Sequence, residues 1–460
     1  MSLITNVFLI TLLVSLFLAA MANTRASFLN NKNKFHSLPS YHALWVFLVS
    51  FIPSILILGV FSIGDDIFFK IWITDYYPEN YKTLNNFDEQ LYLSKILNYV
   101  DGISFGDSEA WVVSAGTIYS EWLKKSDMFI SFFVPLTCLF GGVFSFSKIS
   151  NQFKARVNVE KILLWILALS SSVAIITTIG IVLSVLFEAI RFFKIIPISE
   201  FIFGLVWNPE FEGAVRAGSE GSPANYGTVP LFLGTILISL IALSVAVPIG
   251  LMCAVYLAEY ASIRSRSIIK PLLEILAGVP TVVYGFFAAL TVAPLIKSIG
   301  ENLGLSVASE SALAAGLVMG IMIIPFISSL SDDVINSVPQ ELRDASLGLG
   351  ATKSETTIKI VLPAALPGIV AAIILAVSRA IGETMIVLMA AGLAANLSFN
   401  PLDAVTTVTA QIVTILVGDQ EFESAKTLSA FALALLLIIV TLSLNFFALQ
   451  IVKRYREQYE

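Results

Sequence analysis

Long hydrophobic runs with few charged residues recur along the whole chain. An α-helix needs about 20 such residues to cross the hydrocarbon core of a bilayer. Nine runs meet this length: residues 3–22, 41–61, 129–147, 161–187, 230–258, 271–296, 311–331, 364–393 and 429–452. They are too long and too uniformly apolar to be the alternating strands of a membrane β-barrel. The pattern therefore predicts an all-α, polytopic membrane protein with about nine transmembrane helices.

The composition supports this class and argues against several others. Of the 460 residues, 57% are hydrophobic and 13% are charged, whereas about 25% are charged in a typical soluble domain. A net charge of −6 argues against a nucleic-acid-binding protein, so no nucleic-acid partner is expected. The two cysteines lie in apolar runs and the two histidines have no neighbouring ligands. We therefore expect neither a disulfide framework nor a metal site.

Lysine and arginine concentrate in every second connection between the predicted spans. The basic stretches are residues 23–40, 148–161, 264–270 and 453–456. Cytoplasmic loops of membrane proteins are enriched in basic residues, so these stretches are predicted to be cytoplasmic. The N-terminus is then outside and the C-terminus inside.

The first span has one feature of a signal peptide. Ala20-Met21-Ala22 resembles a cleavage site, which would remove residues 1–22. However, no basic residue precedes the apolar run, and cleavage would place the basic stretch 23–40 outside. We expect this segment to stay uncleaved as the first transmembrane helix.

The connections divide the chain into two parts. Residues 1–150 contain three spans and a long acidic segment, 62–128, which is predicted to lie outside and has no assigned chemistry. Residues 151–460 contain six spans joined mostly by short loops. We therefore predict a six-helix domain preceded by a three-helix N-terminal extension.

One predicted cytoplasmic connection, residues 332–363, is acidic rather than basic, with five acids against three bases. Capping-box patterns predict two short helices in it. The patterns are Ser337 with Gln340 and Thr352 with Glu355. Gly348 and Gly350 between them favour a sharp turn, because glycine adopts positive φ at no steric cost.

A spaced set of residues runs through the same connection: Asp344, Ala345, Ser346, Gly350, Ile360, Leu362 and Pro363. It resembles the EAA-x3-G-x9-I-x-LP motif of binding-protein-dependent (MetI-like) ABC transporter permeases. Asp344 replaces Glu with the charge kept, and Ser346 replaces Ala with the size nearly kept. The resemblance implies a six-helix permease core with a coupling helix that docks on a separate ATPase subunit.

The chain has no convincing nucleotide site of its own. Gly350-Ala351-Thr352-Lys353-Ser354 lacks the glycine that precedes the lysine of a phosphate-binding loop, and no strand precedes it. We therefore expect a non-catalytic subunit without cofactors, in a complex whose partner binds ATP and Mg²⁺.

Two charges lie within the eighth predicted span. Arg379 and Glu383 are four residues apart, which predicts that they share one face of a helix. A charge at the bilayer centre costs about 2.5–3.5 kcal/mol on insertion scales, so such residues usually face a pathway or a partner. Two interpretations remain open. The pair neutralises itself, or Arg379 holds an oxyanion on a substrate route through its planar guanidinium.

Two longer stretches limit the resemblance to one group of these permeases. Residues 378–385 read SRAIGETM and residues 274–285 read EILAGVPTVVYG. Both are similar to stretches of the phosphate-specific transport permeases, with the PstC branch favoured over PstA. The resemblance implies import of inorganic phosphate by alternating access. It places Arg379, Glu383, Thr281 and Tyr284 on the route, and Glu274 is either a gating residue or a solvated helix end.

The resemblance also implies partners and a location. The partners are a PstA-like second permease, a PstB-like ATPase dimer and a PstS-like extracytoplasmic phosphate-binding protein. The location is the bacterial inner membrane, with the lipid bilayer around the helices.

Two other functions fit part of these observations. A permease for sulfate, molybdate or phosphonate would use the same residues, because a guanidinium that holds one oxyanion can hold another. An ion-coupled secondary transporter would account for Arg379 and Glu383, but it would leave the motif at 344–363 without a role.

Overall fold

The structure, a computed structural model, describes residues 3–32, 35–73, 86–103, 109–209, 224–417 and 424–456. Within these ranges the chain is almost entirely helical, with one two-stranded antiparallel sheet. Nine of the described helices are long and apolar enough to cross a bilayer. This confirms the predicted all-α class and the predicted number of spans.

The chain forms two compact units, Met1–Ile175 and Ile176–Glu460. The predicted division after residue 150 stays a prediction. The first unit contains α1 (Leu3–Lys32), α2 (Pro39–Ile73), α3 (Asn86–Val100), α4 (Ala110–Ser147) and the start of α5 (Ala155–Phe193).

Close helix packing defines the first unit. Helices α1, α2 and α4 all contact one another. A Cβ atom at Gly141 would lie 2.5 Å from the Val49 carbonyl oxygen, so glycine is needed where α4 crosses α2. Helices α2 and α4 extend well into the predicted outside segment 62–128, and α3 packs against α4. Residues 74–85 and 104–108 of that segment lie outside the described ranges.

The second unit is built on the remaining elements. These are α6 (Ile198–Phe203), β1 (Trp207–Asn208), β2 (Asn225–Tyr226), α7 (Val229–Tyr260), α8 (Ile263–Ala277), α9 (Thr281–Asn302), α10 (Ala312–Ser337), α11 (Gln340–Gly348), α12 (Lys353–Ile381), α13 (Met385–Ala390), α14 (Val408–Val417) and α15 (Ala425–Arg456). Helices α7, α9 and α12 each contain one π-helical turn, at Tyr256–Tyr260, Ala288–Val292 and Thr357–Val361.

Helix α10 lies at the centre of the second unit and is the most buried of the membrane-length helices. It packs along α7, where a Cβ at Gly320 would lie 2.8 Å from the Ala242 carbonyl oxygen. It also contacts α8, α12 and α13. Helix α10 is therefore in contact with most of the long helices of the second unit.

The predicted sixth span, 271–296, is confirmed as a membrane-length helix, but its predicted start is wrong. Helix α8 ends at Ala277, and α9 begins at Thr281 after Pro280. Proline has no N–H group to donate, so it suits a position just before or at the start of a helix. The break separates a short helix without buried residues from a membrane-length helix.

The predicted eighth span, 364–393, is also confirmed as a membrane-length helix, but both of its predicted ends are wrong. Helix α12 starts earlier, at Lys353, and ends at Ile381 with Gly382 as its C-cap. A separate short helix, α13, begins at Met385. The span is therefore a discontinuous helix, and the break falls on the segment that carries the predicted route residues.

Candidate coupling helix and transport route

The predicted coupling motif forms an exposed short helix between two long ones. Helix α11 lies between the end of α10 and the start of α12, and none of its residues is buried. Leu342 and Leu347 are 44% and 47% exposed, and Leu349, just after the helix, is 90% exposed. Several exposed apolar side chains on one short segment are typical of a surface that binds another protein.

The turn after α11 depends on one glycine. Gly350 has φ of +86°, the left-handed region that favours glycine. Helix α12 then begins with the predicted capping box, which the structure confirms. The Thr352 hydroxyl accepts from the N–H of Glu355, and the Glu355 carboxylate accepts from the N–H of Thr352. This local geometry fixes the direction in which the chain enters α12.

The other predicted capping box is wrong. Helix α10 continues to Ser337, whose hydroxyl donates to the Val334 carbonyl oxygen at 2.7 Å. Ser337 therefore ends a helix and does not start one. Pro339 takes the position before α11 instead. The predicted loop 332–363 thus begins with the last residues of a membrane-length helix.

The residues of the EAA-like motif divide between the surface and the interior. Asp344 and Ala345 are exposed, and Asp344 accepts a hydrogen bond from the Gln340 side chain at 3.0 Å. Ser346 is half-buried, and its hydroxyl lies 2.9 Å from the Thr356 hydroxyl of α12. Ile360, Leu362 and Pro363 belong to α12. Leu362 is half-buried and packs against a buried cluster, Ile360 is half-buried, and Pro363 is exposed.

A nearly buried ion pair holds α11, and the sequence did not predict it. Arg343 and Glu259 are 12% and 10% exposed. The Arg343 Nε and Nη2 atoms donate to Glu259 Oε1 at 3.2 and 3.1 Å. Arg343 also donates to the carbonyl oxygens of Ile335 and Val338. The partners lie 84 residues apart in the sequence, and no local pattern signals such a contact.

A second charge cluster joins α8 to the last turns of α10. The carboxylate of Asp332, which is fully buried, accepts from Arg266 Nη2 and Lys270 Nζ, each at 2.9 Å. Asn336 Nδ2 donates to its other oxygen at 2.9 Å. The pKa of Lys270 is raised above its ordinary value, most strongly by the hydrogen bond to Asp332 and next by the hydrogen bond to Asp333. Lys270 is therefore charged at neutral pH, and the pair weakens only as the pH rises through this raised pKa.

Arg379 lies in the last turn of α12, and its side chain is exposed. Its guanidinium carbon is 5.6 Å from the centre of the Phe326 ring of α10, a cation–π distance. No carboxylate of the described residues forms an ion pair with it. Its guanidinium therefore lies at the surface of this chain beside an aromatic ring.

Glu383 does not share a helical face with Arg379, so that prediction is wrong. Gly382 ends α12, and Glu383 lies in the break before α13. Its carboxylate accepts from the N–H groups of Met385 and Ile386, at 3.1 and 3.4 Å, and it is 9% exposed. In the segments that the structure describes, no ion pair joins Glu383 to Arg379. Glu383 satisfies the free N–H groups at the start of α13 instead.

The remaining predicted site residues lie around the break between α8 and α9. The Tyr284 hydroxyl donates to the Leu276 carbonyl oxygen at 2.9 Å, which ties the start of α9 to the end of α8. Thr281 is the half-buried first residue of α9. Glu274 is exposed on α8. The roles predicted for these three residues stay predictions.

Glu274 and Arg379 have one neighbour in common. Glu274 lines a cavity of ≈ 240 Å³ together with Lys270, Phe326, Ser328 and Asp332. Phe326 is the ring that Arg379 covers. The Ser328 hydroxyl is buried without a hydrogen-bond partner among the described residues, and the sequence gave no reason to single it out. Phe326 thus lines the same cavity as Glu274 and lies at a cation–π distance from Arg379.

Two family models match this chain. Residues 246–457 match the binding-protein-dependent transport system inner membrane component, a range that contains α11, α12 and α13. Residues 7–177 match a family described as phosphate ATP-binding cassette transporter. The second match covers the N-terminal extension, for which the sequence alone suggested no counterpart.

Several curated relatives align with more than 70% of their own length. The probable ABC transporter permease protein YqgH of Bacillus subtilis is 30% identical over 245 residues, which cover 53% of this chain and 74% of the relative. The phosphate transport system permease protein PstC of Mesorhizobium japonicum is 30% identical over 253 residues, covering 51% and 72%. PstC of Xylella fastidiosa (strain Temecula1) is 30% identical over 274 residues, covering 55% and 77%.

These matches include the exposed helix α11, the broken helix after Arg379 and the N-terminal extension. The nine membrane-length helices agree with a multi-pass membrane component. The chain belongs to the binding-protein-dependent ABC transporter permeases, and within them to the PstC-type permeases of phosphate importers.

Proposed function

We propose that this chain is the non-catalytic, membrane-spanning permease subunit of an ATP-driven importer of inorganic phosphate. Membership of the PstC-type family supports the substrate and the class. The observation that carries the proposal is the geometry of α11. It is a fully unburied helix with exposed leucines, held between two membrane-length helices, which suits docking on an ATPase.

The partners follow from this role. A PstB-like ATPase dimer docks on α11 and binds the ATP and Mg²⁺, so this chain needs no cofactor of its own. A PstA-like permease completes the membrane domain, and a PstS-like binding protein delivers phosphate to the outer face. The basic connections then place the N-terminus outside and the C-terminus inside the bacterial inner membrane.

Arg379 is the residue of this chain that binds phosphate on the route. An exposed charge within a membrane domain is costly unless it faces water or a partner, so Arg379 faces the route that the second permease closes. Its guanidinium presents two parallel N–H donors to two phosphate oxygens. The Phe326 ring behind it holds the guanidinium in place without neutralising its charge.

Movement of α11 reaches Arg379 along α12, while other contacts of α11 lead to α7 and α10. ATP-driven closure of the ATPase dimer displaces α11, which is linked to α12 at Ser346 and Thr356. Arg379 lies at the far end of α12, so the helix shifts the guanidinium as a rigid body. The break at Gly382 lets α12 move relative to α13. Exposure of the phosphate site then alternates between the two sides of the membrane.

Uptake of radiolabelled phosphate into proteoliposomes tests the proposal. The vesicles contain this chain with its copurifying partners and the binding protein, and excess sulfate or molybdate is added as competitor. We expect uptake that requires ATP and resists both competitors, and no uptake with a hydrolysis-deficient ATPase subunit. Uptake without ATP would refute the ABC mechanism. ATP-driven transport of a competitor would replace phosphate as the substrate.

A further inference from the structure

The contacts of α11 show what holds it to the rest of the second unit. No residue of α11 is buried, so hydrophobic packing contributes little to its position. Of its nine residues, only Arg343 and Ser346 are not exposed. They are three residues apart and therefore lie on the same face of the helix. Any force on α11 passes through these two side chains and the chain connections at its ends.

Arg343 contacts two long helices at once. Its ion pair reaches Glu259, which lies in the π-helical turn Tyr256–Tyr260 at the end of α7. Its other hydrogen bonds reach the carbonyl oxygens of Ile335 and Val338, at the end of α10. The last carbonyl groups of a helix have no partner within the helix, so a positive side chain there is favourable in both charge and hydrogen bonding. One guanidinium thus joins α7, α10 and α11.

The second contact of α11 is weaker, and it is made with α12. Ser346 and Thr356 share a hydrogen bond between neutral hydroxyls, which joins α11 to α12. Hydrogen bonds between charged groups are roughly twice as strong as neutral ones. The charged contact therefore dominates, and it leads to α7 and α10. Beneath these contacts lies a buried apolar cluster from α7, α10 and α12, which gives Arg343 a rigid base.

We propose that Arg343 is the positioning residue that transmits the movement of the coupling helix α11 to α7 and α10, through its ion pair with Glu259 and its hydrogen bonds to the end of α10. This inference rests on the proposed function for the identity of the transported substrate, inorganic phosphate. The position of α11 itself does not depend on the identity of that cargo. Loss of Arg343 should leave docking surfaces intact and separate ATP hydrolysis from transport.

The test measures phosphate uptake and ATP hydrolysis in the same proteoliposomes that contain the whole complex. For Arg343→Gln we expect the ratio of uptake to hydrolysis to fall about tenfold, as for loss of a coupled charge pair. Arg343→Lys should be intermediate, because lysine keeps the charge but not the several directed hydrogen bonds. Arg264→Gln is the matched control, since Arg264 is exposed on α8 and has no ion-pair partner in the described ranges.

The charge-reversed double variant Glu259→Arg/Arg343→Glu separates transmission from a general structural role. We expect its uptake-to-hydrolysis ratio to exceed that of either single reversal, because the ion pair is restored. If Arg343→Gln does not assemble, Glu259→Gln provides the same test, since Arg343 then keeps its bonds to α10. A ratio for Arg343→Gln equal to that of Arg264→Gln would overturn the proposal, as would a double variant no better than the singles.

Hydrogen exchange of the α11 amides in the purified complex gives a second readout that does not involve phosphate. We expect faster exchange in Arg343→Gln than in the wild type, and in the double variant slower exchange than in either single reversal, because the ion pair is restored but the hydrogen bonds to the end of α10 are not. Unchanged exchange would contradict the proposed contact. A wild-type complex that hydrolyses ATP but takes up no phosphate would refute the proposed function, while the exchange data would still decide the role of Arg343.

Discussion

The region around the coupling helix and the break after α12 hold their charges in different ways. Around α11, Asp332 and Arg343 are buried or nearly so, and each has oppositely charged partners. At the break, Arg379 is exposed, and no carboxylate of the described residues pairs with it. Glu383 is occupied by backbone N–H groups. Paired charges fix the position of helices, whereas an unpaired exposed charge is available to bind an anion.

This comparison separates two kinds of variant. A change in the coupling region should alter stability or the link between ATP hydrolysis and transport. A change at Arg379 should alter phosphate transport and leave stability unaffected. A variant of one region that shows the effect expected of the other would remove this distinction.

The largest effect is expected at Arg379. Arg379→Gln should lower ATP-dependent phosphate uptake about 100-fold, because two charge-assisted hydrogen bonds to phosphate are lost. Its thermal unfolding should be unchanged, since the side chain is exposed and forms no ion pair with any described residue. Arg379→Lys should retain partial uptake. Normal uptake by Arg379→Gln would remove this residue from the route.

The next effect concerns stability. Asp332→Ala should destabilise the protein by about 2–3 kcal/mol, because Arg266 and Lys270 lose the buried carboxylate between them. Asp333→Ala is the control, since that carboxylate is 64% exposed and should contribute less than about 1 kcal/mol. Thermal unfolding of the solubilised complex measures both. Equal shifts for the two variants would show that burial of Asp332 is unimportant.

Gly350 tests the turn after the coupling helix. Gly350→Val should cost about 1–2 kcal/mol locally, because a side chain disfavours positive φ, and uptake per ATP hydrolysed should fall. Gly348→Ala is a close control, since Gly348 lies within α11 and its added Cβ would meet no atom within 4 Å. Coupling as in the wild type in Gly350→Val would contradict the need for this turn.

The smallest effect is expected at the confirmed capping box. Thr352→Ala should destabilise the start of α12 by about 1 kcal/mol, while Thr352→Ser should keep the hydrogen bond to the Glu355 N–H. Hydrogen exchange of the amides of residues 353–356 measures the difference. Identical exchange in both variants would show that the cap does not hold this end of the helix.

Much of the fold followed from hydropathy, because membrane-length helices are long and nearly uniform in composition. The errors fall at helix breaks. A run of apolar residues from 271 to 296 looks continuous, yet Gly278 and Pro280 interrupt it. The run from 364 to 393 is interrupted at Gly382. Hydropathy averages over a window and does not register whether the backbone N–H groups find partners.

The site was predictable where its signal is local. The Thr352–Glu355 capping box and the turn at Gly350 depend on neighbouring residues, and the structure confirms both. The contact between Arg343 and Glu259 depends on how distant helices pack, so the sequence gave no sign of it. Arg379 and Glu383 were predicted to share one span, and spacing alone did not reveal that the helix ends between them.

The central claim is that Arg379 faces a water-filled phosphate route, and thiol labelling tests it most directly. Arg379→Cys is introduced with Cys138→Ser and Cys253→Ser, and the assembled complex is treated with a charged, membrane-impermeant thiol reagent. Trp165→Cys serves as the control, because Trp165 is 77% exposed on α5 and is expected to face lipid. We predict rapid labelling at position 379, slowed by phosphate, and little labelling at 165. A thiol at 379 as unreactive as that at 165 would contradict the account.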